Sequence, residues 1–131
     1  MNESLLEIRT YDGQGYQPLV NTPGWRVALL NDRPEEYRRE TLTYLERHME
    51  TDEVFVLLSG RCTLLIGDGT GSAPGTISAV EMEPRKLYNV KKGVWHNLLG
   101  TPEMTLLIVE NADTTKENSQ YCRGVTPDML P

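Results

Sequence analysis

Histidine and glutamate side chains with the spacing of a reactive site lie in the stretch LERHMETDEVFVLLSG. Glu46 and His48 are two positions apart, and Glu53 follows the histidine by five residues. The only other histidine of the chain, His96, lies in GVWHNLL. Imidazole and carboxylate groups exchange protons near neutral pH, and they also bind divalent metals. The spacing therefore indicates an acid–base site or a metal site, provided that the fold brings these four residues together.

Short apolar segments bounded by glycine, proline and charged turn residues make up most of the chain. They are rich in β-branched, aromatic and aliphatic residues, which favour strands. Many short strands at intervals of about 8–12 residues are typical of an all-β sandwich or barrel. The predicted strands are 25–30, 41–48, 53–58, 61–66, 77–82, 87–90, 94–99 and 104–109.

The chain length predicts one domain, residues 1–131, with a barrel core at about 25–110. Asp32, followed by Pro34 and two glutamates, predicts one short helical turn. We expect residues 67–76 to form a flexible hairpin loop and the tail 113–131 to pack irregularly.

Strand alternation assigns the candidate residues to a face. Glu46 and His48 share one face of the segment TLTYLERH, while Leu45 and Arg47 lie on the other. Because the first face also carries apolar residues, we expect it to point inward. Arg47 is then expected at the surface or at a subunit contact.

The stretch around Glu46 resembles the first motif of the cupin superfamily, which has two histidines one residue apart, then a glutamate and a glycine. His48, Glu53 and the glycine of LLSG stand at matching positions, and Glu46 replaces the first histidine. The second cupin motif is similar to KKGVWH, which ends at His96. The resemblance covers about residues 41–110 and implies a cupin-like double-stranded β-helix, a barrel of the jelly-roll type.

The segments LERH and VWH also resemble the ureidoglycolate lyase family, cupin-fold enzymes that split ureidoglycolate into glyoxylate and urea. This resemblance implies acid–base cleavage of a carbinolamine. His96 would be the base, and His48, assisted by Glu46, would be the acid. For a small polar or acidic metabolite, Lys92 could supply a cation and Tyr88 a hydroxyl donor.

Two other interpretations stay open. His48, Glu53 and His96, with Glu46 as a further ligand, form a donor set that suits Zn²⁺, Mn²⁺, Fe²⁺ or Ni²⁺. The enzyme would then be a metal-dependent cupin of the sugar isomerase or small dioxygenase type. A metal-bound nitrogen cannot also accept a proton, so this interpretation excludes the lyase chemistry at His96. The other interpretation is a non-catalytic module that binds a small ligand.

The charge and composition of the chain restrict the classes of partner that it is expected to bind. The net charge of −6 disfavours nucleic acid and anionic membranes, which would repel the chain. No apolar run approaches the ~20 residues of a membrane helix, and no signal peptide is visible. Two widely spaced cysteines are typical of a reduced, cytoplasmic protein. The outward-facing Leu45, Val54, Val56 and Trp95 predict a homodimer interface.

Overall fold

The computed structural model describes residues 2–131, which fold into ten strands. The strands are β1 (Gly15–Asn21), β2 (Trp25–Asn31), β3 (Tyr44–His48), β4 (Glu53–Ser59), β5 (Cys62–Gly67), β6 (Ile77–Glu81), β7 (Tyr88–Val90), β8 (Trp95–Gly100), β9 (Thr105–Asn111) and β10 (Ser119–Arg123). One short 3₁₀ turn, Pro127–Met129, lies near the C-terminus. Among the described residues no helix is long and apolar enough to cross a membrane. The all-β prediction is confirmed.

Two five-stranded antiparallel sheets form the barrel. Their strand orders are β1-β2-β9-β4-β7 and β10-β3-β8-β5-β6. The main core lies between the sheets and is built from alternate residues of the central strands, including Phe55, Leu57, Leu64, Leu106 and Ile108. Because every second residue of a strand shares a face, Glu53 and Glu110 point into the barrel on the same side as these core residues.

A second apolar cluster covers the outer face of the second sheet. It contains Leu42, Leu45, Leu65, Trp95, Val125 and Leu130. The chain after β10 supplies the last two members, and Arg39 holds that segment by donating to the carbonyl oxygens of Pro127, Leu130 and Pro131. This face is therefore closed by the protein's own C-terminal residues.

The covered outer face changes two expectations. Leu45 and Trp95 are 0% and 1% exposed, so they cannot serve as half of a dimer interface. Arg47 points away from the barrel as predicted, but it is buried, with its guanidinium carbon 4.4 Å from the ring centroid of Trp95. Val54 and Val56 are half-buried, and the homodimer stays a prediction.

The short turn predicted after Asp32 is present, since the Tyr37 amide donates to the Arg33 carbonyl four residues back, and residues 34–41 form turns and bends. β1 precedes the expected barrel core of about 25–110 and adds an edge strand, where Pro18 next to a bulge is tolerated. The tail is not irregular throughout, since residues 119–123 form β10 and pair with all of β3.

The hairpin loop 67–76 is held in place by hydrogen bonds. Asp68 Oδ1 accepts from the Thr76 amide at 2.7 Å, and the Gly69 amide donates to the Pro74 carbonyl. The loop packs on the outer face, where the Gly71 carbonyl accepts from Trp95 Nε1 at 3.1 Å. It therefore lies on the opposite side of the sheet from the inward-facing histidines.

Candidate acid–base site

Neighbouring strands bring the predicted residues together inside the barrel. Glu46 and His48 lie on β3, Glu53 begins β4, and His96 lies on β8. Glu46 is the direct cross-strand partner of His96, and the rings of the two histidines are 5.3 Å apart between centroids. The expected common pocket for these residues is present.

Glu53 joins the two histidines. Its Oε1 lies 2.9 Å from His96 Nε2 and 3.2 Å from His48 Nε2. The Nδ1 atom of His96 lies 2.9 Å from the Val94 carbonyl oxygen, which can only accept a hydrogen bond. Nδ1 must therefore carry a proton. A hydrogen bond from Nε2 to the Glu53 carboxylate then requires a second proton, which makes His96 an imidazolium.

The pKa values of the cluster agree with this protonation. Burial alone would lower the pKa of His96, but the hydrogen bond and charge of Glu53 raise it from its ordinary 6.5 to about 9. For His48 the same opposing effects also leave the pKa raised. Burial would raise the pKa of Glu53, yet the hydrogen bonds from both histidines hold it well below its usual range.

Glu46 has a different environment. Its Oε1 lies 4.0 Å from His48 Nε2, beyond hydrogen-bond distance, and its side chain is 27% exposed toward the cavity. No residue within 2–131 donates a hydrogen bond to the Glu46 carboxylate. Burial raises the pKa of Glu46, and the nearby charges of His96 and His48 offset part of that rise. Glu46 is therefore a carboxylate without a hydrogen-bond partner. Its pKa is raised, and it lies beside the protonated His96.

Glu110 forms a second buried carboxylate that the sequence analysis missed. Its Oε1 accepts from the Tyr16 hydroxyl at 2.6 Å and from Arg26 Nη2 at 2.8 Å. Its Oε2 is buried and, within residues 2–131, has no hydrogen-bond partner. Burial and the negative charge of Glu53 raise the pKa of Glu110 to about 7. Alternation along β9 could have found it, because Leu106, Ile108 and Glu110 all face inward.

The C-terminal tail also contributes to the site. Ser119 Oγ lies 2.8 Å from His48 Nδ1, and Tyr121 is the cross-strand partner of Glu46. Both residues lie on β10, which has few aliphatic residues and no clear strand signal in the sequence. Sequence analysis therefore missed the residues that orient His48 and form one cavity wall.

The cluster opens into a cavity of about 450 Å³. Besides the residues above, its lining includes Leu30, Arg33, Glu36, Tyr37, Tyr44, Phe55, Asn97, Leu98, Thr114, Thr115 and Lys116. Tyr88 and Lys92, the predicted substrate-binding residues, lie outside it. The Tyr88 hydroxyl accepts from the Glu83 amide instead, and Lys92 is exposed in a turn where its amide donates to Asp52. Strand β7 and the turn that follows it therefore do not contribute Tyr88 or Lys92 to the cavity lining.

The donor set also fits a divalent metal. Glu46, His48 and His96 form one group, and His48, Glu53 and Glu110 form another. Within each group one nitrogen or oxygen per residue lies within 4.8 Å of the others. Imidazole nitrogens with carboxylate oxygens suit Zn²⁺, Mn²⁺, Fe²⁺ or Ni²⁺. Ser119 and the Val94 carbonyl would orient the two rings from behind, as outer partners of metal-bound histidines do.

The paired sheets and the inward histidine cluster define a cupin-type double-stranded β-helix, as the sequence predicted. Streptomyces Pac13 with uridine superposes with a TM-score of 0.62 at 12% identity, covering 92% of this chain and 88% of that chain. Pac13 is described as a nucleoside dehydratase. A cupin-2 domain protein from Shewanella frigidimarina has a TM-score of 0.56 at 16% identity, covering 77% and 84%. KdgF from Halomonas sp. has a TM-score of 0.57 at 9% identity, covering 78% and 81%.

These likenesses establish the fold. No protein-family model matches the chain, and no curated protein matches it. The comparisons give no support to the resemblance to ureidoglycolate lyases in particular.

Proposed function

We propose that this chain is a small-molecule enzyme that breaks a C–N or C–O bond by acid–base catalysis in the barrel cavity. The observation that carries the proposal is that the carboxylates of Glu53 and Glu46 have different environments. Glu53 is held between two imidazoles, whereas Glu46 faces the cavity without a hydrogen bond. A base and an acid with separate environments on one wall are what an elimination needs.

The geometry favours a reversal of the roles expected from the sequence. An imidazolium at His96 has no lone pair with which to act as a base. Glu46 would take the proton from a substrate hydroxyl as the C=O bond forms and the C–N bond breaks. His48 would give a proton to the departing nitrogen, which receives the bonding electrons. His96 and Glu53 would hold the cluster's charge and orient His48.

Ureidoglycolate remains the specific substrate suggested by the LERH and VWH segments. Pac13 supports the broader reaction class, since a dehydratase also performs an elimination on this scaffold. Wild type, Glu46→Gln and His48→Gln would be assayed for urea release from ureidoglycolate. We expect each substitution to lower kcat by at least ~10². A binding module would instead be stabilised against heat by its ligand without forming product.

A metal-dependent enzyme is the second candidate, favoured by the two groups of clustered donors. The metal would act as a Lewis acid or activate water. Elemental analysis of protein purified without added metal would separate the candidates. Near-stoichiometric metal in wild type, lost in His48→Ala, would replace the acid–base proposal. Less than a tenth of an equivalent in both would reject the metal enzyme.

A further inference from the structure

We infer that the cavity takes a neutral, polyhydroxylated small molecule whose hydroxyl groups bind Glu46 and Tyr37. The inference rests on the proposed function for its location, and it names the substrate class of the same site. It argues against ureidoglycolate and other free acids as substrates, while it keeps the acid–base chemistry.

The buried cation of the cavity is already paired, since Arg26 Nη2 lies 2.8 Å from Glu110. Arg33, which is partly exposed, lies 3.7 Å from Glu36. Lys116 has no ion-pair partner within residues 2–131, but it is exposed at the surface. Both histidines face Glu53. A carboxylate bound beside Glu46 would therefore lie against another carboxylate, with no unpaired buried cation among the described lining residues.

The second argument is the set of unused hydrogen-bonding groups. Tyr37 is only 6% exposed, lines the cavity, and its hydroxyl has no hydrogen-bond partner in residues 2–131. Burial raises its pKa, and the charges of Glu36 and Glu46 raise it further, so the phenol keeps its proton. A substrate hydroxyl can donate to Glu46 while it or its neighbour accepts from Tyr37. Glu46 and Tyr37 thus supply one acceptor and one donor for the hydroxyl groups of a ligand.

The third argument concerns the remaining surface. Tyr44 and Tyr121 flank the Glu46 position, with ring centroids 6.0 Å apart, and Phe55 lines the cavity beyond them. The Tyr44 hydroxyl donates to Glu36 and so is not free for the substrate. Aromatic faces pack against the C–H faces of a sugar-like ring. An ammonium group fits less well, because His48 Nε2 already lies 4.0 Å from Glu46 Oε1 and occupies that side of the carboxylate.

A matched set of five-carbon probes tests the charge preference: methyl β-D-ribofuranoside, which is neutral, D-ribonate, which is an anion, and 1-amino-1-deoxy-D-ribitol, which is a cation. Binding would be measured by calorimetry at pH 7. We expect saturable binding of the neutral probe and at least tenfold weaker binding of both charged probes. Tyr37→Phe and Glu46→Gln should each weaken binding of the neutral probe about tenfold or more.

Tyr88→Phe is the matched control, because Tyr88 lies outside the cavity, and it should leave binding unchanged. Thermal unfolding would verify that each variant is folded. Tighter binding of either charged probe would overturn the inference. The absence of saturable binding of the neutral probe up to ~50 mM, a concentration far above the KM values usual for enzymes, would also overturn it. Neutral-probe binding without any turnover would leave it standing and count against the proposed function. Turnover of ureidoglycolate would support that function and overturn the inference.

Discussion

Replacement of Glu53 by glutamine should lower the pKa of both histidines, so that they lose their protons near neutral pH. Glu53 is 5% exposed, and its Oε1 faces both Nε2 atoms. The charge and hydrogen bonds of this carboxylate are what hold the pKa of His96 above its ordinary value against the opposing effect of burial. In Glu53→Gln only burial, Glu46 and the Val94 carbonyl remain, so the pKa of His96 should fall to 6.5 or below.

The size of the effect follows from the pKa values. For His96, the rise of the pKa from an ordinary 6.5 to about 9 corresponds to roughly 3 kcal/mol of stabilisation. Because the folded-state pKa is raised, this stabilisation is complete below pH 6.5 and is lost as the pH rises through about 9. The lowered pKa of Glu53 makes its own contribution complete above its ordinary 4.5 and lost at lower pH. The substitution should therefore cost most between pH 4.5 and 6.5.

The measurement is direct because the chain has only two histidines. NMR titration of their ring protons would give both pKa values, with His48→Gln used to assign the signals and a chelator present to remove metal. Urea denaturation at pH 6 and pH 9.5 would give the free energy of unfolding. We expect Glu53→Gln to lose roughly 3 kcal/mol at pH 6 and much less at pH 9.5.

The control is Glu81→Gln, which removes a carboxylate whose side chain is 52% exposed and should change neither histidine. Wild-type titration of both histidines at or below pH 6.5 would refute the protonation argument. An equal loss of stability at both pH values would show that Glu53 acts through packing alone.

Four further predictions concern the residues that hold the site in place. Gly60→Ala should destabilise the fold strongly, because φ is +69° and a Cβ would lie 2.5 Å from the Glu103 backbone. Gly93→Ala, at φ +80° in open space, should cost only about 1 kcal/mol, as urea denaturation would reveal. Leu45→Ala should cost about 2–5 kcal/mol by the same measurement, and a cost below 1 would mean that the C-terminal segment does not cover the outer face. Ser119→Ala should alter the NMR tautomer signature of His48 while Ser119→Thr preserves it, and an unchanged signature in both would exclude an orienting role.

The sequence predicted eight of the ten strands, and each predicted segment corresponds to one of β2 to β9. These eight include the edge strands β6 and β7, so an edge position alone does not hide a strand. The two strands that were missed, β1 and β10, have the sequences GYQPLVN and SQYCR. Proline and glycine in the first, and the scarcity of aliphatic residues in the second, leave no clear strand pattern.

The same distinction applies to the site. Alternation placed Glu46 and His48 on the inner face, and the family resemblance paired them with His96. No local pattern shows that Arg26 stands opposite Glu110 or Ser119 opposite His48, because these pairs depend on strand register across 84 and 71 positions. Tyr88 and Lys92 lie outside the cavity for the related reason that a basic turn near a barrel strand does not reveal which way it faces.

Glu46 stands where the cupin motif has its first histidine, and this difference determines the balance of charges in the whole cavity. An imidazole at this position would add a third neutral or positive group near Glu53. The Glu53 carboxylate would then be shared by three imidazole rings. With glutamate there, the two imidazoles are matched by one buried carboxylate, and a second carboxylate is left facing the cavity. Glu53 keeps the pKa of both histidines raised, while Glu46 faces the cavity without a hydrogen bond. In the proposed function, this free carboxylate would disfavour an acidic ligand and would be the base that acts on a hydroxyl group. The residue that departs from the metal-binding motif is therefore the one to which we assign the proton transfer.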